Sequence, residues 1–269
     1  MGSRQKALIK LTKDPLFYIG LAIRLALLFI AVPFATTAWY APFLENSVAS
    51  FSLDPWQAHI AQGGDARAFP YGYVMWLMLL PGALVAKLIG ASYVLTYGLT
   101  LLLVDACLLF LLRFFFQIKS KLLLLGFWLS PITIFATYWL GFNDLIPVTL
   151  LLCGLFFLRA HRPSLAGAVC GMALSAKLSM VLAIPFFMVY LYRNRSLRHL
   201  LGKFTLGVAL SLIVFWVPFL FSSAGLMMLF ENPEMQKTFE FAIKVSDSIN
   251  IYVLPLAYCF TLYVAWQVR

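Results

Sequence analysis

Apolar residues dominate eight runs of the chain, at about 16–35, 72–90, 93–113, 121–140, 144–160, 164–193, 203–221 and 250–268. Most come close to the ~20 residues that a helix needs to cross a bilayer. In lipid a backbone must satisfy its own hydrogen bonds, so each long run predicts a helix. No short-period repeat and no low-complexity tract breaks the pattern. The expected architecture is all-α: a polytopic transmembrane helical bundle of about eight crossings plus an interfacial helix, one domain over residues 1–269.

The polar segments between the runs are of two kinds. Arg4, Lys6, Lys10 and Lys13 precede the first run, and no small-residue cleavage site follows it. That predicts a retained first helix rather than a cleaved signal peptide. Arg113, Lys119 and Lys121 form the next basic cluster, then Arg159 and Arg162, then Arg193, Arg195, Arg198 and Lys203, and last Arg269. Basic loops stay in the cytoplasm, so the N-terminus is expected there too. Eight of the ten acidic residues fall in the other segments: Glu45, Asp54, Asp65, Asp144, Glu231, Glu234, Glu240 and Asp247.

Parity then constrains two runs. An even number of crossings must separate the N-terminus from Arg113, yet three runs lie between them. Run 72–90 is the weakest, with Pro81, glycines and Lys87, and is expected to lie in or dip into the outer leaflet as an interfacial or re-entrant helix. Run 164–193 has basic residues at both ends, and its 30 residues fall short of two crossings. At ~1.5 Å per residue it spans only ~45 Å. Two short helices meeting near Lys177 to Ser179 fit this length and leave an externally open dent. The outer face then carries external loop 36–71, a second external loop 222–249 and the apex Gly141-Phe142-Asn143-Asp144.

Composition sharpens the exclusions. The chain has 269 residues, 63% apolar and 11% charged, with a mean hydropathy of +0.92. A soluble domain is about 45–50% apolar and about 25% charged, so a soluble enzyme, a disordered tail and a disulfide scaffold are all excluded. The net charge of +10 does not point to nucleic acid, because the basic residues sit in short inter-helix clusters. Cys107, Cys153, Cys170 and Cys259 lie inside apolar runs with no CxxC spacing or His partner, which points to packing and not to a metal.

Ionisable groups at membrane depth are costly and usually functional. Asp54, Asp144 and Lys177 converge on the outer face in this topology. Asp54, in Ser52-Leu53-Asp54-Pro55-Trp56, is either a helix N-cap or a general base for a hydroxyl acceptor, and the two are compatible. Asp144 reads as a cap for run 144–160 unless it faces a polar cavity, and Asn143 stands beside it. Lys177 lies too deep to snorkel, so it either binds a phosphate as a point charge or pairs with a carboxylate such as Asp144. Arg24 and Asp105 fall near mid-helix and are expected to form a structural intramembrane pair. His59 follows Asp54 by five residues and is a weaker candidate. Phe69-Pro70-Tyr71-Gly72-Tyr73 suits either the headgroup layer or sugar stacking.

Four features together resemble a known family. They are Leu53-Asp54-Pro55-Trp56 early in a large external loop, and Phe69-Pro70-Tyr71-Gly72-Tyr73 opening the next helix. Then come Gly141-Phe142-Asn143-Asp144 after Ser130-Pro131, and a short helix pair after Arg162-Pro163-Ser164-Leu165-Ala166-Gly167, with Lys177 and Pro185. In order and spacing, over residues 15–195, the chain resembles GT-C superfamily integral-membrane glycosyltransferases, of the bacterial polyprenyl-phosphate-sugar-dependent mannosyltransferase type. The resemblance implies an inverting enzyme of the cell envelope, in the bacterial inner membrane, active on the outer face. Asp54 would deprotonate the acceptor, Lys177 would hold the donor phosphate, and Asn143, Asp144, His59, Tyr71 and Tyr73 would contact substrate. Helix 72–90 would help to hold the lipid. The partners implied are a polyprenyl-phosphate-sugar lipid, membrane lipids, an acceptor that is a glycan, lipid or protein, and no nucleic acid.

Family members commonly carry more helices after the second external loop, so this chain is expected to be a minimal enzyme, a partial chain, or a subunit completed by a partner. Loop one has no Asp-x-Asp pair, so no cofactor is expected and a divalent metal has no residue support. Two other readings remain. The broken run around Lys177 suits a transporter or flippase, but no matching interruption exists in the first half. A non-catalytic membrane subunit of an envelope assembly suits the short C-terminal region.

Overall fold

The computed structural model describes residues 3–231, 241–246 and 249–267. Glu234, Glu240, Asp247 and Arg269, and parts of the second loop, lie outside the described residues. The chain starts with α1, Ser3–Thr12, and α2, Pro15–Ile30. Asp14 caps α2 by accepting from the Leu16 amide at 3.0 Å, and Pro15 opens the helix. Pro33 follows after a short extended stretch, since proline restricts its own and the preceding residue.

Segment 36–71 is not an open loop. It folds as a π-helical turn, Thr36–Tyr40, running into α3, Ala41–Ala49, and then α4, Pro55–Ala61. Tyr40, Phe43, Leu44, Ser47 and Val48 are all buried, and this spacing places them on one helical face. The face packs on α5, Tyr73–Ile89, which presents Val74, Met75, Trp76, Leu79, Ala83 and Ala86. Gly90, at φ 67°, ends α5 in the left-handed region that glycine tolerates. The turn leads into α6, Tyr93–Phe116, which is capped by Ser92.

Two predicted helices are broken by proline. Run 121–140 becomes α7, Ser120–Leu123, continuing as a π-turn Leu124–Trp128, then α8, Pro131–Ile134, continuing as Phe135–Trp139. The halves meet at 44° where Ser130 and Pro131 restart the helix. Run 203–221 likewise divides into α12, Leu201–Phe215, and α13, Val217–Leu220, with Pro218 at the restart. Between them stand α9, Leu145–Arg159, α10, Pro163–Ala176, a 3₁₀ turn Leu178–Ala183 and α11, Ile184–Arg193. The break in run 164–193 falls at Lys177, whose backbone is extended.

The remaining described elements are α14, Ser223–Phe230, a hairpin of β1, Ala242–Ser246, with β2, Ile249–Tyr252, and α15, Val253–Gln267. The strands pair antiparallel. The hairpin is absent from the all-α expectation, and the last helix starts at Val253 rather than at 250. Among the described residues two helices, Tyr93–Phe116 and Arg198–Phe215, are long and apolar enough to span, or three counting the bent pair. Six more apolar helices, of 10–17 residues, are shorter than a full span.

α10 is the spine of the second half, packed between α9 and α12. A Cβ on Gly167 would stand 2.0 Å from the Phe204 carbonyl oxygen, and one on Gly207 would stand 2.2 Å from that of Ser164. Small residues let these two backbones touch, which is how helices associate where lipid offers no hydrophobic drive. Arg24 and Asp105 form a sealed core pair, both 0% exposed. Arg24 Nε donates to Asp105 Oδ2 at 2.6 Å, its Nη1 donates to the carbonyls of Trp128 and Gly20, and Tyr138 donates to the same Oδ2 at 2.9 Å. The guanidinium lies 3.7 Å over the Trp128 ring.

Candidate active site

Two polar centres lie at either end of the short stretch Tyr71-Gly72-Tyr73, in which the extended backbone of Gly72 leads into α5 at Tyr73. The stretch is tied to the end of α10. A Cβ on Gly72 would stand 2.4 Å from the Ser175 carbonyl oxygen, so only glycine lets the backbones approach. Two residues beyond Ser175, the extended backbone of Lys177 turns its side chain out of the helix.

At the Tyr71 end, Lys177 Nζ meets Asp144 Oδ1 at 2.5 Å, with the two side chains 26% and 50% exposed. Nζ also lies 6.0 Å from the centre of the Tyr71 ring. Asp144 occupies the N-cap position of α9, yet its side chain makes no capping bond. Asn143 beside it is 1% exposed, and neither its amide oxygen nor its nitrogen has a hydrogen-bond partner. It faces the hydroxyls of Tyr71 and Tyr97 without good bonding geometry to either. The Tyr71 and Tyr40 hydroxyls are 3.0 Å apart, and Tyr97 donates to the Gly141 carbonyl at 2.8 Å.

At the Tyr73 end stands Asp54. Its Oδ1 caps α4 by accepting from the Gln57 amide at 3.0 Å, and also accepts from Ser222 Oγ at 2.8 Å. The Tyr73 hydroxyl donates to the Leu53 carbonyl. Beneath lies Trp56, fully buried, edge-on to Tyr73 and to Phe219 at 4.8 and 4.9 Å, with its indole donating to the Phe69 carbonyl. Asp54 is therefore held by loop one, α5 and the segment between α13 and α14.

His59 is 1% exposed and sits beneath the turn at Gly64. Asn46 Nδ2 donates to its Nδ1 at 3.0 Å, and Nε2 has no partner. Burial lowers the pKa of the ring, against the pull of Asp65. It presents no edge to the surface, and supports loop one from below. Asp65 pairs with Arg67 at 2.8 Å, and the hydrogen bond from that guanidinium lowers its pKa.

Sequence reasoning singles out Asp54, Asn143, Asp144, Lys177, Tyr71 and Tyr73, and the structure gathers them along one stretch. It misses Ser222, Ser175 and Tyr97. A lone serine 168 residues from its aspartate carries no sequence signal. Among the described residues no three His, Cys, Asp or Glu side chains form a group that would hold a metal ion.

Searches of curated proteins and of solved structures return no match to the chain. The sequence profile of glycosyltransferase family 87 matches residues 69–266, which take in Tyr71, Asn143, Asp144, Lys177 and Ser222 and leave Asp54 just upstream. With nearly three quarters of its length inside that match, and with apolar helices throughout it, the chain is an integral membrane protein and belongs to glycosyltransferase family 87, a GT-C-type membrane glycosyltransferase family.

Proposed function

We propose that the protein is an inverting glycosyltransferase that takes a sugar, with mannose the first candidate, from a polyprenyl-phosphate donor and transfers it to a hydroxyl acceptor. The reading places this at the outer face of a bacterial inner membrane, with the N-terminus in the cytoplasm. Its support is that the two ends of one short stretch contact a cation on one side and the loop that carries a carboxylate on the other. Tyr71 and Tyr73 are two residues apart, so their Cα atoms are separated by no more than ~7 Å. One leans on Lys177 and the other on the Asp54 loop.

In this reading Asp54 accepts the proton of the acceptor hydroxyl as its oxygen attacks the anomeric carbon. The bond from that carbon to the phosphate oxygen breaks, and its electron pair leaves with the polyprenyl phosphate. Lys177 meets the charge that develops there, which lowers the barrier because the cation is already in place. Asp144 holds Lys177 before the donor arrives and must cede it when the phosphate binds. Asn143 offers a buried amide to the sugar, and helix α5 flanks the lipid. The reaction needs no cofactor from the residues named.

The test is sugar transfer by purified protein from a panel of labelled polyprenyl-phosphate sugars, with Asp54→Asn beside wild type. Donor-dependent release of polyprenyl phosphate, lost in Asp54→Asn, is the expected result. Transfer that persists in Asp54→Asn moves the base elsewhere, to Asp144 first. No transfer from any donor by folded protein that binds lipid phosphate returns the transporter and subunit readings.

A further inference from the structure

We propose that Ser222 is a positioning residue for Asp54, clamping one carboxylate oxygen so that the other faces the acceptor. The inference rests on Asp54 being the base. Ser222 is 2% exposed and stands at the N-cap of α14, far in sequence from loop one. Its hydroxyl oxygen accepts from the Gly225 amide at 3.0 Å, so the cap uses only the acceptor side. A hydroxyl has a single proton, and this one goes to Asp54 Oδ1 at 2.8 Å. The same Oδ1 accepts from the Gln57 amide at 3.0 Å.

Two donors therefore converge on Oδ1, and no described hydrogen bond uses Oδ2. A carboxylate rotates about its bond to Cβ unless something holds it. The Gln57 amide alone fixes a point, whereas the two donors, from elements at opposite ends of the chain, fix the plane. The oxygen left over is the one able to take a proton, and the half-exposed setting of Asp54 leaves it open to a substrate. Misplacing a reacting group by about 1 Å costs on the order of 100-fold in rate. The contact also makes α14 part of the machinery: the segment that begins the second loop is needed to aim a residue in the first.

A structural cap alone predicts something different, and Ser222→Gly separates the two. Glycine is tolerated at an N-cap nearly as well as serine, so α14 keeps its start while Asp54 loses its second donor. Ser222→Thr keeps the hydroxyl. The assay is steady-state transfer normalised to folded protein, with Tm measured alongside. The expected result is a roughly 10- to 100-fold lower kcat in Ser222→Gly, in line with a hydrogen bond to a charged group. KM for donor should stay within about twofold and Tm close to wild type, with most of kcat retained in Ser222→Thr. Wild-type kcat in Ser222→Gly overturns the proposal. So does an equal loss in both variants, which marks a packing role, and so does a loss that tracks a lower Tm. Asp54→Asn runs in parallel: if it remains active, the assignment of the base has failed, and that outcome is distinct from an inert Ser222→Gly beside an inactive Asp54→Asn.

Discussion

Among the described residues two ion pairs join distant parts of the chain, and they are built on opposite plans. Arg24 and Asp105 are both 0% exposed, tied to Tyr138 and two carbonyls, and roofed by the Trp128 indole. Lys177 and Asp144 meet at a helix break, 26% and 50% exposed, beside the Tyr71 ring. A guanidinium is planar and weakly hydrated, so it stacks and forks. An ammonium is a point charge that trades partners readily. The first pair is arranged to stay made, the second to be exchanged.

The largest expected effect breaks the sealed pair. Arg24→Leu leaves Asp105 charged, buried and short of its strongest partner, and should cost about 3–5 kcal/mol. Thermal unfolding in detergent would show a large fall in Tm or no folded protein. The double variant Arg24→Met with Asp105→Leu removes both charges and should recover much of that loss, because apolar replacements of similar volume are often neutral. Equal damage in the double and single variants would mean that shape, and not uncompensated charge, is what the core requires.

Lys177→Met should reverse the balance. An exposed pair contributes about 0–1 kcal/mol, so Tm should barely move. Transfer should fall by on the order of 10²–10³-fold if the cation meets charge developed in the transition state. A large Tm loss with transfer falling in proportion would place Lys177 in the same class as Arg24 and erase the contrast drawn above.

Much of this was legible in the sequence, and the failures have physical causes. The break at Lys177 follows from length, since run 164–193 is too short for two crossings and too long for one. The Arg24–Asp105 contact follows from cost, because two opposite charges at mid-helix have few other partners. The carboxylate at Asp54 is announced by Asp-Pro, a helix start. What does not follow is tertiary. Ser222 reaches Asp54 only because Phe219 packs edge-on against Trp56, a contact between distant segments. The helices of loop one are short, so their buried face of Tyr40, Phe43, Leu44, Ser47 and Val48 is too brief to stand out. The hairpin has a period-two signal in Ile243, Val245, Ile249 and Ile251, hidden at the edge of a longer apolar run. The π-turns that end α7 and α8 leave no mark in composition.

The smallest effect tests whether sealing governs polar groups generally or only ion pairs. His59 is as enclosed as Arg24 but forms no ion pair among the described residues, and burial outweighs the pull of nearby Asp65 on its ring. Asn46 donates to Nδ1, so the neutral ring is the form that fits, and protonation would set two donors face to face. Burial lowers the ring's pKa from 6.5, so the folded protein resists a proton that the unfolded chain accepts. The sign follows: the stabilisation is fully present above the unfolded value and is lost as pH falls through it toward the lower folded value. Amide exchange across residues 55–68, corrected for intrinsic rate, should therefore be slow at neutral pH and faster in mild acid, while α10 and α12 hold steady. His59→Gln keeps an acceptor for Asn46 and removes the titration, and should flatten that response. Exchange in loop one that ignores pH in the wild type, or that accelerates equally in His59→Gln, would show that a buried neutral ring is held by packing alone and that sealing matters here only for charge.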